Sequence, residues 1–307
     1  MAVSADSIAA AGSGALRRLA EGRALPVATV LLIIVVLWYA AAVLLNAPQV
    51  QDRLNRAGQP WTTADLVLGT WSMERPVLPT PYQIAAEFGK SVFATPVTSK
   101  RSLLYHAYVT ASATVLGFVL GAVLGILLAV GIVHLRTLDR SLMPWIIASQ
   151  TIPILAIAPM IIVVLGNFGF TGLVPKSIIS MYLCFFPVTI GMVTGLRSPD
   201  PLQLDLMRSY SASGPQVFWK LRWPSAVPFL FASLKVAIAI SLVGAIVGEL
   251  PTGATAGLGA RLLSGSYFGQ TVQIWAALLM AALLGATLVY LIGLLELLVL
   301  GRMGARR

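Results

Sequence analysis

Arg197-Ser198-Pro199-Asp200-Pro201-Leu202-Gln203-Leu204-Asp205-Leu206-Met207-Arg208-Ser209-Tyr210-Ser211-Ala212-Ser213-Gly214-Pro215-Gln216-Val217-Phe218-Trp219-Lys220-Leu221-Arg222-Trp223-Pro224 is a polar, helix-forming stretch set between two apolar runs. Asp200 is placed to cap a helix whose first position is Pro201, and Gly214-Pro215 reads as its stop signal. Leu202, Leu206 and Tyr210 recur at four-residue spacing and so share one face of that helix. A second short helix is expected from Pro215 towards Arg222, carrying Phe218 and Trp219. The stretch is expected to be a helical hairpin that faces a partner, in preference to an amphipathic loop lying on lipid.

The runs on either side set the class. Of 307 residues, 58% are hydrophobic and 10% charged, against about 25% charged in soluble domains, and the mean hydropathy is +0.87. An all-α integral membrane protein follows. Crossing the hydrocarbon core takes about 20 apolar residues, and six segments meet that length: 26–46, 107–133, 142–165, 177–196, 226–249 and 273–300. The run from Pro26 to Leu45 exceeds the apolar part of a signal peptide and precedes no small-residue cleavage site, so it is expected to remain as a span. Twelve Lys and Arg fall in the segments that lie inside if the N-terminus is inside, against eight outside. Six of those eight crowd into one long loop, where charge counts for less. The expected order is a cytoplasmic tail 1–25, a first span 26–46, an external loop 47–106, a core 107–300 with the cytoplasmic loop 197–224, and a cytoplasmic tail 301–307. In the external loop, Thr80 as cap and Pro81 at the first position predict a short helix with Tyr82, Ala85, Ala86 and Phe88 on an interfacial face.

The net charge of +10 is scattered over loops and tails and forms no stripe, which argues against nucleic acid and for contact with the lipid bilayer. Cys184 stands alone, excluding an intrachain disulfide or a cysteine metal cluster; His106 and His134 are isolated and read as interfacial or loop residues. Gly89-Lys90-Ser91 mimics the end of a phosphate-binding loop, but Ile84 occupies the position where the pattern needs its first glycine. With no catalytic constellation, the chain is expected to carry no catalytic residue, cofactor or metal site.

Within the spans, Gly117, Gly121 and Gly125 mark a face for close helix approach. Pro144, Pro153, Pro159 and Pro187 favour kinks. Lys235, about 14 Å into its span, should face a partner charge, a wet cavity or solute. Glu249, at the outer end of the same span, is the second candidate for the solute pathway, and Glu296 reads as interfacial.

With these residues the chain resembles the permease subunits of bacterial ABC importers, in the nitrate/sulfonate/taurine-type group. The family's loop carries a Glu-Ala-Ala triplet, a glycine four residues later and a Leu-Pro opening the next span. Here those positions fall on Asp205-Leu206-Met207, on Ser211 and on Trp223-Pro224, so Asp replaces Glu and Ser replaces Gly. The resemblance covers residues 75–300 and includes the Leu-Pro-x-Pro at Leu78, the Gln150-Thr151-Ile152-Pro153 run with Pro159 and Gly166, Phe186-Pro187 and Gly257-Leu258-Gly259. The run Asp205 to Tyr210 also looks like permeases for pyrimidine or riboflavin-type solutes. The resemblance implies six membrane helices in a type I importer fold, with a coupling helix between the fourth and fifth. It also implies an inner-membrane homodimer, separate ATPase subunits inside and a solute-binding protein outside. Asp205, Leu206, Met207, Ser211, Phe218 and Trp219 would contact the ATPase. A stand-alone secondary transporter or channel would instead need inverted repeats and intramembrane acidic residues in matching halves, and no such halves are visible.

Overall fold

The computed structural model describes residues 24–58, 60–251 and 254–303; the tail arginines Arg17, Arg18, Arg23, Arg306 and Arg307 lie outside them. All regular structure among the described residues is helical. Two compact units divide the chain: residues up to Glu87 with Gly269–Trp275, and Phe88–Phe268 with the residues from Ala276 onward.

In the first unit, α1 runs from Ala24 to Ala57, continuing eleven residues past the expected end of the span and through Pro48. The segment 47–57 is therefore helix and not loop. Asn46, fully buried at the end of the apolar run, accepts from the Val77 amide at 2.7 Å and donates to the Leu78 carbonyl at 2.9 Å. One amide side chain thus fixes the irregular segment before residue 80 to the helix. Trp38 donates to the Pro79 carbonyl and packs edge-on against Trp275. α2 (Thr63–Trp71) opens on a reciprocal Thr62–Asp65 cap, and α3 (Pro81–Gly89) on Thr80 and Gln83, as the proline and threonine predict. Lys90 and Ser91 continue α3 as a wide turn, so the phosphate-loop mimic sits inside a helical end.

The second unit is built on three long helices: α4 (Leu103–His134), α7 (Leu173–Leu196) and α9 (Gly214–Glu249). Gly117 meets Ser177 and Ser180, Gly121 meets Met181 and Cys184, and Gly125 meets Phe185 and Val188. The paired numbers rise together, so α4 and α7 run parallel, and at each glycine a Cβ would collide with the facing helix. The glycine stripe is the α4–α7 contact. Gly248 meets Lys176 while Gly195 meets Ala226, so α9 runs antiparallel to α7. Buried hydroxyls add cross-ties: Ser180 donates to the Ser241 carbonyl and Ser241 to the Thr114 carbonyl, each at 2.9 Å.

Two parallel neighbours need a connection that returns across the full thickness. That connection is α5 (Arg136–Ser149) and α6 (Ile154–Asn167), bent by 100° at Thr151-Ile152-Pro153. The expected single span 142–165 is thus a broken one. Pro144 and Pro159 lie inside α5 and α6 without ending them; the break comes at Pro153, which caps α6 with extended backbone.

The hairpin also departs from expectation at one point. α8 (Pro201–Ser209) stops not at Gly214-Pro215 but at Ser211, whose φ is +52°. Ser211 donates to the Arg208 carbonyl at 2.8 Å and Ala212 to the Met207 carbonyl at 3.0 Å, the paired bonds of a left-handed helix stop. Gly214-Pro215 opens the next helix instead, with the Ser213 amide donating to Gln216, since a proline in the first turn loses no bond. The expected separate helix from Pro215 and the span from 226 are one helix, α9, with a wide turn at Phe218–Arg222. α10 (Leu258–Tyr267) and α11 (Thr271–Arg302) complete the chain.

Candidate functional site

Two ends of the second unit carry distinctive side chains. At the hairpin end, the Asp200 carboxylate accepts from the Leu202 amide at 2.8 Å and starts α8. Leu202, Leu206 and Tyr210 are 77%, 56% and 77% exposed, an unpartnered apolar row on a polar loop. Asp205 stands beside this row and pairs with Arg208 at 2.8 Å, both exposed, an interaction worth little against solvent. Met207 is half-buried. Trp219 is exposed, but Phe218 turns inward: it stacks on His134 and Trp223 and packs on the main apolar core. The Phe218 and Trp219 rings meet edge-on with centroids 5.0 Å apart, at the start of the wide turn at 218–222. Arg222 donates to the Leu196 carbonyl and Arg197 pairs with Asp139 at 3.0 Å, tying the base of the hairpin to the helix ends.

Ser211 explains the motif glycine at its position, because the left-handed region costs an L-residue roughly 1–2 kcal/mol. Ser211→Gly is expected to relieve part of that strain and raise hydrogen-exchange protection of the Ala212 amide. Ser211→Val, β-branched at positive φ, should lower it.

At the opposite end, Glu249 is fully buried and Lys176 is 8% exposed. The Lys176 ammonium lies 3.4 Å from Glu249 Oε1 and donates to the Ala256 carbonyl at 2.9 Å. Glu249 further accepts from the Thr110 hydroxyl at 3.0 Å and from the Gly259 amide at 2.8 Å. Thr110 in turn accepts from the Leu258 amide at 2.8 Å. One carboxylate therefore joins α4, α7, α9 and the start of α10. A Cβ on Gly257, at φ +122°, would collide with this carboxylate, and one on Gly259 with the Ile246 carbonyl and the Glu249 Cβ. His106 belongs to the same end: it is buried, accepts from the Gly257 amide at 3.0 Å on Nδ1 and reaches the Lys100 carbonyl at 2.9 Å through Nε2. That corrects the expectation of an interfacial histidine. A cavity of about 690 Å³ opens beside this clasp of Glu249 with Lys176, Thr110 and the Gly259 amide, with Tyr105, Ser112, Phe170, Thr171, Lys176 and Thr255 among its walls.

Glu249 is not in the cavity wall but behind it. Lys235 is also away from the cavity; its ammonium pairs with Glu296 at 2.5 Å, joining α9 to α11. Glu296, expected at the interface, is this partner. Lys176, Thr110 and His106 had no site role assigned from the sequence alone. A signal for the first was present: Lys176 and Glu249 are the charges nearest the same ends of neighbouring antiparallel spans, and a charge there needs an opposite one.

Residues 121–304 match the family described as binding-protein-dependent transport system inner membrane component. The riboflavin transport system permease protein RibX of Chloroflexus aurantiacus is 34% identical over 220 residues, 72% of this chain and 78% of its own. The formylaminopyrimidine transport permease protein ThiX of Halalkalibacterium halodurans is 30% identical, over 60% of this chain and 68% of its own. The putative aliphatic sulfonates transport permease protein SsuC of Bacillus subtilis is 28% identical, over 72% of this chain and 76% of its own.

Proposed function

The chain belongs to this family of inner-membrane transport components and is a multi-pass permease subunit of an ABC importer, and from that premise we propose how it is driven. α8 docks on a separate ATP-hydrolysing subunit through Leu202, Leu206 and Asp205, with Met207 and the Ser211 turn supporting the contact and Trp219 at its edge. Two copies of the chain form the pathway, and a solute-binding protein delivers a small organic solute at the end that holds the Glu249 clasp. The solute is of the kind named for the relatives: a riboflavin-type or pyrimidine-type ring compound, or a sulfonate. Closure of the ATPase subunits on nucleotide pushes the hairpin. α9 is one helix of 36 residues from Gly214 to Glu249, about 54 Å at helical rise, and it carries that push to the clasp. Glu249 thereby acts on the pathway by holding its wall, and Lys235, held by Glu296, stiffens the rod.

The observation that carries this reading is the exposed apolar row on a short, doubly anchored helix that is continuous in chain with that rod. Purification from the host membrane is expected to co-isolate an ATP-hydrolysing subunit, with uptake that requires ATP; uptake by the chain alone in vesicles would overturn it. Orientation is checked with an impermeant thiol reagent. Cys184 is fully buried and can stay as a silent background. Tyr82→Cys, at a 74% exposed position, should label in intact spheroplasts and Leu202→Cys only in inverted vesicles; the reverse pattern would invert the topology.

A further inference from the structure

The walls of the cavity beside the clasp define a solute class. Its volume of about 690 Å³ lies within the range of roughly 300–1,000 Å³ typical of small-molecule sites. Among the described residues, Lys176 is the one charged residue in its lining. That charge is already balanced, because the Lys176 ammonium is engaged by the buried Glu249 carboxylate and the Ala256 carbonyl. His106, behind the wall, accepts an amide proton on Nδ1 and so carries no proton there. A small anion entering would lose its water against largely apolar walls and meet no uncommitted cation in them, which disfavours it. Glu249 is sealed from the cavity, so an organic cation finds no uncompensated carboxylate in the lining either. What the walls do offer is two rings, Tyr105 and Phe170, with the hydroxyls of Ser112, Thr171 and Thr255. Ring faces with a few hydroxyl donors and acceptors suit a flat, polar-edged heteroaromatic compound.

We infer that this cavity is a binding site within the permease itself for an uncharged, flat heteroaromatic solute, and that it discriminates against small organic anions such as sulfonates. The inference rests on the importer reading, of which it specifies the solute class.

The test uses the permease in lipid nanodiscs, with its ATPase subunit and without any solute-binding protein. The probes are riboflavin, followed by quenching of its fluorescence, and 4-amino-2-methylpyrimidine, followed by equilibrium dialysis. Saturable binding of at least one of them is expected, with taurine and methanesulfonate unable to displace it even in large excess. Ser112→Trp, which places an indole in the cavity, should weaken binding by about tenfold or more. Thr171→Trp, at an exposed rim position, should do the same if the first variant fails to fold. A complex that hydrolyses ATP yet binds neither ring compound saturably overturns the inference. So does equal binding by a folded tryptophan variant, or displacement by taurine on equal terms. Absence of any ATPase subunit would count against the importer reading alone, since binding to the chain by itself still decides the fate of the cavity.

Discussion

The double variant Asp205→Arg, Leu206→Ser is expected to lose the ATPase subunit on purification and to abolish solute-stimulated ATP hydrolysis in reconstituted vesicles. Leu206 lies in the middle of the α8 row and is 56% exposed, so docking would take its side chain out of water. Truncating a buried anchor commonly costs about 2 kcal/mol or more, roughly a thirtyfold loss of affinity. Asp205→Arg should exceed Asp205→Ala, because it removes an acceptor and sets a second cation beside Arg208 where the partner expects a negative charge. Leu206→Ser alone should weaken docking without altering charge. None of these side chains packs in the bundle, so insertion and thermal stability should stay at wild-type values. Retention of both co-purification and stimulated hydrolysis by the double variant would remove α8 from the drive mechanism.

The parts of this mechanism that can be read from the sequence are those fixed within one turn of chain. Asp200-Pro201 is a start signal whatever surrounds it, and α8 begins there. The same holds for Thr80-Pro81 at α3. Gly117, Gly121 and Gly125 announce a close contact, but only the fold reveals that the facing helix is α7 and runs parallel, which in turn makes α5 and α6 carry the chain back from the end of α4 to the start of α7. Four prolines in the third and fourth spans carry the same local signal, yet Pro153 alone breaks a span, because neighbouring helices can support the others. Gly-Pro at 214–215 serves equally as an end or a beginning. Ser213 with Gln216 three residues later was the discriminating pattern, a reciprocal cap at a start. The stop at Ser211 was hidden because a serine there gives no composition cue for a positive φ.

The clasp is the tertiary case, and the second large effect is expected there. Lys176→Met leaves Glu249 with no cation while it remains fully buried. Removing one member of a buried pair typically costs about 3–5 kcal/mol, because the survivor is an uncompensated charge. The loss should appear as a lower yield of folded permease and a large drop in unfolding temperature in detergent. Glu249→Gln should be milder. An amide oxygen can still accept from Thr110 or the Gly259 amide, and the Lys176 stem is long enough to move its ammonium towards the cavity and water. The decisive comparison is the double variant Lys176→Met, Glu249→Gln, which removes both charges and keeps the volumes. Exchange of a buried ion pair for neutral groups is often close to neutral in stability, so the double variant should regain most of the stability lost by Lys176→Met. If transport nevertheless stays low in this stable protein, the pair serves the movement of α9 and not merely its packing. If Lys176→Met alone is as stable as wild type, the carboxylate is held by Thr110 and the α10 amide without its lysine, and the clasp is a hydrogen-bond network and not an ion pair.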